Sequence, residues 1–260
     1  MPHISVAGER LFYALVEGDP RVGPDLILVH GAGGNHTQWP AELRRLPRAN
    51  VYALDLPGHG RSTGKGRTRI DDYADTVHLF AQTLGLKRAS VAGHSMGGGI
   101  AQMLALSRPA WLDGVILIAC GPRFEMEPTI IDQLRPQGGS ATDFSATIET
   151  ICRQAYGPMA NRQTIRRGRQ QLLGEDQAVI YGDYVACSTF DTSTRVSAMS
   201  VPVLIISGSA DQITPPAHAR QLRDQIPGAQ LTEIKDAGHM VMVEKPAETA
   251  DAVLRFLDRL

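Results

Sequence analysis

The stretch VAGHSMGGGIAQMLAL, residues 91–106, constrains the fold more than any other part of the chain. A short apolar run leads to one serine, Ser95, set among Gly93, Gly97, Gly98 and Gly99, and a helix-like apolar spacing follows. That order reads as a strand, a sharp turn and a helix, with side chains missing where strand and helix must approach each other. A serine on such a turn is forced into an unfavourable backbone conformation. It also stands at a helix N-terminus, where free amides and the helix dipole favour negative charge. A plain turn with a helix-capping serine would satisfy the same G-x-S-x-G pentapeptide, so the rest of the chain must discriminate.

Other apolar runs recur along the chain: LILV at 26–29, VYAL at 51–54, SVA at 90–92, VILIA at 115–119, VLIIS at 203–207 and LTEI at 231–234. Runs without polar alternation suit strands covered on both faces, and hence a mainly parallel sheet flanked by helices, an α/β class. The opening ISVAGERLFYALVEG instead divides at Gly8 and Glu9 into two strand-like pieces, an expected antiparallel hairpin at the sheet edge. Ile70, Tyr73, Val77, Phe80 and Leu84 keep helical spacing, as do Ala250, Val253, Leu254, Leu257 and Leu260. These faces should pack on the sheet.

The alternation stops between about Gly121 and Ser200, where TDFSATIETICRQAYG and RQTIRRGRQQLLG are polar and helix-compatible. We expect a helical cap at 121–200 inserted into a core formed by 1–120 and 201–260. Arg162, Arg166, Arg167 and Arg169 read most simply as a solvated helix face, with recognition of an acidic substrate as the alternative.

With 260 residues, 43% apolar and 20% charged, the chain supports one large domain with a full core. A formal net charge of −1 gives no basic surplus for nucleic acid or an anionic membrane surface. The longest apolar run, VILIAC at 115–120, falls far short of the roughly 20 residues of a membrane span, and MPHISVAGERLFYALVEG has no signal pattern. Cys120, Cys152 and Cys187 are odd in number and widely spaced, which argues against a disulfide framework and a zinc site. The expected location is the cytoplasm. The sequence leaves oligomeric state open.

Two glycine-rich loops fail as nucleotide sites. HGAGGNH at 30–36 places His36 where G-x-G-x-x-G requires its last glycine, and in GHGRSTGKG at 58–66 Lys65 precedes Gly66 rather than Ser or Thr. No cofactor is expected. The histidines at 30, 36, 59 and 94 lack the H-E-x-x-H spacing of a metal site and read as structural or pocket-lining.

A serine hydroxyl becomes a nucleophile only when a base takes its proton, and that base is best held by a buried carboxylate. GSADQITPP follows VLIIS and places Asp211 just past a strand's carboxyl end, the side on which parallel sheets gather their sites. KDAGHMVMVEKP follows LTEI and places His239 in a loop before the last helix. Asp211 could instead cap the helix that begins near Pro215 or Pro216, and Asp236 is a weaker candidate for the acid. Acyl chemistry also needs donors for the oxyanion. The Met96 amide is one, and the Ala32 amide, in a loop of small residues, is chosen as the second.

Taken together, HGAGG at 30–34, DLPGHGRS at 55–62, GHSMGG at 93–98, GSADQITPP at 208–216 and AGHMVMVEKP at 237–246 resemble the α/β-hydrolase fold superfamily. The likeness is to its cap-bearing, esterase-like and epoxide-hydrolase-like branch. The order Ser95, Asp211, His239 is the one found in that superfamily. The resemblance implies a cofactor-free hydrolase, an eight-stranded sheet whose second strand is antiparallel, a helical cap, and a DLPGHGRS loop that shapes the site through its turn. Serine at 95 departs from the aspartate of epoxide hydrolases and haloalkane dehalogenases. The expected activity is hydrolysis of a small-molecule carboxylic ester through an acyl-enzyme. Enol-lactone or carbon–carbon hydrolysis, perhydrolysis, acyl transfer, and a non-catalytic ligand receptor on this scaffold stand as alternatives. Trp39, Phe124, Met126, Tyr156, Met159 and Met240 are candidate pocket walls, and equally good packing residues.

Overall fold

The apolar runs become eight strands: β1 His3–Val6, β2 Glu9–Val16, β3 Asp25–Val29, β4 Val51–Leu54, β5 Ala89–His94, β6 Leu112–Ile118, β7 Val203–Gly208 and β8 Gln230–Ile234. This computed structural model describes residues 2–18, 25–136 and 141–260, the last range without the side chains of 141–143. The helices are α1 Ala41–Arg44, α2 Ile70–Thr83, α3 Met96–Ser107, α4 Pro128–Leu134, α5 Ala141–Ala155, α6 Arg162–Leu173, α7 Gln177–Ser188, α8 Pro216–Gln225, α9 Val241–Glu244 and α10 Pro246–Leu257.

The strands form one sheet in the order β1-β2-β4-β3-β5-β6-β7-β8. β2 runs antiparallel to both neighbours, β1 and β4, and every pair from β4 to β8 is parallel. The hairpin and the antiparallel second strand are therefore as expected from the sequence.

Strand residues alternate between two buried cores, which explains why the runs show no polar alternation. Ile27, Val29, Val91, Val115, Leu117 and Ile205 pack with Val77 and Phe80 of α2 and with Ile100 and Leu104 of α3. Leu26, Leu28, Ala92, Ile116, Ile118 and Ile206 pack with Leu43 of α1 and with Val253 and Phe256 of α10 on the other face. Between β6 and β7 lie α4 to α7, with a smaller cluster of their own around Leu134, Ile148, Ile151, Cys152 and Ile180.

The topology carries the loops after β3, β5, β7 and β8 to one edge, the carboxyl ends of parallel strands. Those loops hold Ala32, Ser95, Asp211 and His239.

Candidate active site

Ser95 joins β5 directly to α3 with φ 53° and ψ −116°, a conformation that L-residues rarely adopt. It persists because the surroundings leave no alternative path. A Cβ on Gly93 would overlap the Gly97 carbonyl, one on Gly97 would overlap the Val29 carbonyl, and one on Gly98 would press on Cys120 Sγ. At Gly93 and Gly97 strand and helix thus meet backbone to backbone, and at Gly98 the helix meets the Cys120 side chain, the reason for the glycines at these three positions. Ser95 is half-buried, and the Met96 amide opens α3 in the first turn, where amides have no intrahelical acceptor.

The loop after β3 lies against this turn. A Cβ on Gly31 would stand 3.2 Å from Ser95 Cβ and 2.9 Å from His94 Nδ1, so only glycine allows the approach. Ala32, the next residue, is half-buried beside it. His30 anchors the loop, donating from Nδ1 to the Gly31 carbonyl at 2.9 Å and accepting the Leu56 amide at Nε2, 3.1 Å. Burial, together with the nearby His59 charge, lowers the His30 pKa to about 4.

Asp211 and His239 meet across the loops after β7 and β8. His239 Nδ1 donates to Asp211 Oδ2 at 2.9 Å, and both side chains are buried. The same oxygen accepts the Thr214 hydroxyl at 2.8 Å, while Oδ1 accepts the Ile213 and Thr214 amides at 2.8 and 2.9 Å. Burial pushes the Asp211 carboxyl up, but the His239 charge and these donors outweigh it and hold it below the usual carboxylate range. Backbone bonds bind the two loops together, Ser209 N to the Ile234 carbonyl and Ala210 N to the Ala237 carbonyl. Asp236, the weaker acid candidate, is exposed, and its amide donates to Ser209 Oγ. Helix α8 takes Pro215 rather than Asp211 as its N-cap.

His94 links the turn to the histidine loop, its Nε2 donating to the His239 carbonyl at 3.0 Å. Glu244 supports that loop from the other side, accepting Gly238 N at 3.0 Å and Gly157 N, from the α5–α6 connection, at 2.9 Å.

Local sequence gave no sign of the polar contacts that tie α6, α7 and the turn between them to the core. Asp183 of α7 accepts Gly33 N and His59 Nε2, each at 2.8 Å, and the Tyr73 hydroxyl at 2.6 Å. His59 also donates from Nδ1 to the Pro57 carbonyl at 3.0 Å, so both ring nitrogens face acceptors and the ring is an imidazolium. Burial works against that charge, but Asp183 overrides it and raises the His59 pKa. Gln171 of α6 donates to the Gly33 carbonyl at 2.8 Å, and Glu175 accepts Asn35 Nδ2 at 2.6 Å and Gly60 N at 3.1 Å. The DLPGHGRS loop contributes more than a turn: its buried Asp55 accepts the His36 ring and the amides of His36 and Arg61.

A cavity of about 490 Å³ opens beside the site, with Tyr156, Met240, Val243 and Leu172 as apolar walls and Gln171 and Arg167 among its polar ones. Neither Ser95 nor His239 lines it, but Met240 adjoins His239 and Gln171 holds Gly33. Of the six candidate walls, Tyr156 and Met240 line this cavity. Trp39 is buried in the second core, the cluster that also holds Leu43 of α1 and Val253 of α10. Phe124 packs at a tilt against Phe190 near Gly99, and Met126 packs on the first core. Met159 does not meet its expectation: it is 73% exposed because the Gly157–Ala160 turn carries it to the surface. Of the four arginines, Arg162, Arg166 and Arg167 are exposed as expected. Arg169 is half-buried and pairs with Glu149 at 2.7 Å, tying α6 to α5.

Comparison with known proteins agrees with this architecture. A pimeloyl-[acyl-carrier protein] methyl ester esterase of Yersinia pseudotuberculosis serotype IB (strain PB1/+) is 29% identical over 259 residues, covering 95% of this chain and 96% of the relative. A hydrolase from Pseudomonas aeruginosa PA01 superposes with a TM-score of 0.86 at 25% identity, over 98% of this chain and 97% of its own. The enol-lactonase from Burkholderia xenovorans LB400 shares the fold with a TM-score of 0.88 at 24% identity, over 98% and 99% of the two chains. The profile of the alpha/beta hydrolase family matches residues 26–252, and the chain belongs to that family as an enzyme of the α/β-hydrolase fold.

Proposed function

We propose that this hydrolase is a serine esterase that cleaves a carboxylic ester through an acyl-enzyme, with Ser95, His239 and Asp211 as its catalytic residues. The observation that carries the reading is the His239–Asp211 pair, whose loop is bonded through His94 to the strained turn of Ser95.

Ser95 Oγ attacks the ester carbonyl as its proton passes to His239 Nε2, and Asp211 holds the ring with Nδ1 protonated and stabilises the imidazolium. The Ala32 and Met96 amides bind the oxyanion. Collapse of the tetrahedral intermediate breaks the bond to the alcohol, which leaves with the proton from His239. Water then gives a proton to His239 and attacks the acyl-Ser95 carbonyl. The second collapse releases the acid, and the proton returns to Ser95.

Helices α4 to α7 act as a cap within residues 121–200, on a core of 1–120 and 201–260. The Tyr156 and Met240 side of the cavity receives an apolar part of the substrate. The full-length likeness to an esterase acting on an acyl methyl ester supports an ester substrate here. A cytoplasmic location accords with the three cysteines, all free and buried. No helix among the described residues is long and apolar enough to cross a membrane.

The test is hydrolysis of p-nitrophenyl esters of increasing chain length by the wild type and Ser95→Ala, with labelling by a fluorophosphonate. Turnover and labelling that both vanish in Ser95→Ala support the mechanism. Turnover indifferent to Ser95→Ala would overturn it.

A further inference from the structure

Both peptide groups that flank Gly33 are held by the helices between β6 and β7. Gly33 N donates to Asp183 Oδ2 of α7 and the Gly33 carbonyl accepts Gln171 Nε2 of α6, each at 2.8 Å. Gly33 itself has φ +62°, and an added Cβ would crowd Leu172 Cδ2 and Ile180 Cγ1 of the same two helices. Asp183 is fully buried and cannot yield, because His59 and Tyr73 hold its two oxygens from the core side. From the core side, the Gly31 carbonyl, whose peptide carries the Ala32 N–H, accepts Gly34 N at 3.0 Å and His30 Nδ1 at 2.9 Å.

The Ala32 N–H belongs to the Gly31–Ala32 peptide, so holding the next peptide, Ala32–Gly33, acts on its direction by limiting the φ and ψ of Ala32. We propose that Asp183 and Gln171 are positioning residues of the oxyanion hole: the core holds the peptide that carries the Ala32 N–H, and the seated cap holds the peptides that follow it. This rests on the serine-esterase reading, in which the Ala32 amide receives the oxyanion. An oxyanion donor acts through pre-set direction, so loosening its loop weakens transition-state binding and leaves ground-state binding intact. An Asp183 that merely glued cap to core would affect stability without that separation.

The experiment compares wild type, Gln171→Ala, Asp183→Ala, Asp183→Asn and Glu149→Ala on one p-nitrophenyl ester, with Tm and the affinity for a trifluoromethyl ketone that adds to Ser95. Glu149→Ala is the control, removing the α5–α6 ion pair without touching Gly33. Gln171→Ala and Asp183→Ala should lower kcat by about tenfold or more, toward the 10²-fold typical of losing one oxyanion donor. Their KM should stay within about twofold, and ketone affinity should fall in parallel with kcat. Asp183→Asn should recover most of the loss, its amide oxygen facing Gly33 N and its NH₂ facing the Tyr73 hydroxyl. Glu149→Ala should keep wild-type kcat whatever its Tm.

Wild-type kcat and ketone affinity in Gln171→Ala and in folded Asp183→Ala overturn the proposal, as does an equal kcat loss in Glu149→Ala. If Asp183→Ala does not fold, Gln171→Ala decides by the same criterion. Where turnover requires Ser95 and Gln171→Ala is unaffected, only the positioning role falls. Where wild-type turnover ignores Ser95→Ala, the esterase mechanism falls with it.

Discussion

His94 Nε2 donates to the backbone carbonyl of His239 at 3.0 Å, so the residue before Ser95 fixes the backbone of the loop histidine. The two rings lie 4.9 Å apart at 56°. His94 Nδ1 is buried without a partner, and burial, reinforced by the charge of His239, lowers the His94 pKa to about 3. The ring is therefore neutral, with its proton on Nε2. His94→Phe keeps a ring in place but leaves the His239 carbonyl without this donor, which costs about 1–3 kcal/mol. We expect a Tm fall of several degrees with a reduced kcat, read by calorimetry and ester turnover.

Acid should destabilise the fold well before carboxylates of ordinary pKa titrate. In the unfolded chain His30 and His94 take up protons below their ordinary 6.5, while in the fold they resist protonation down to about 4 and about 3. The unfolded state thus binds more protons across this window, and stability falls as pH drops through it, by on the order of 3 kcal/mol per ring. The depressed carboxyls of Asp55 and Asp211 add to the loss at lower pH. Urea unfolding between pH 7 and 4 checks the slope. A flat profile would contradict the two neutral rings.

Asp211→Asn preserves shape but presents the His239 ring with an uncharged partner that admits the wrong tautomer. We expect kcat to fall by about 10⁴-fold with the fold intact, since the Thr214 and Ile213 amides still have an oxygen to bond. Circular dichroism alongside ester kinetics separates this from unfolding.

Glu244→Gln would turn an NH₂ group toward one of two amides that now share a carboxylate, Gly157 N and Gly238 N. One buried donor would then face another donor. The expected outcome is a stability loss of about 1–3 kcal/mol and a lower kcat, because Gly238 precedes His239. Unchanged denaturation and kinetics would show that the clamp is idle.

Gly97→Ala tests the approach of helix to strand. Its Cβ would collide with the Val29 carbonyl, a backbone atom that cannot rotate away. Loss of soluble, folded protein is expected, whereas Gly228→Ala, with φ +73° but open space at the Cβ, should cost far less. Expression and thermal melts distinguish the two.

What the sequence determined by itself was whatever its local chemistry encodes. Ser95 between Gly93 and Gly97 specified a strained turn, because only glycine permits those approaches. The unbroken apolar runs specified strands buried on both faces, because alternate residues enter separate cores. Asp211 and His239 were legible because each closely follows the carboxyl end of a strand. Tertiary structure alone decided the contacts between groups far apart in the chain. Gly33 N meets Asp183 across 150 residues and His94 meets the His239 carbonyl across 145, with no local pattern announcing either. The six candidate walls diverged for the same reason: Tyr156 and Met240 reach the cavity, Trp39 is core and Met159 is surface. Residue type sets what a side chain can do, but only the packing of distant elements sets what stands opposite it.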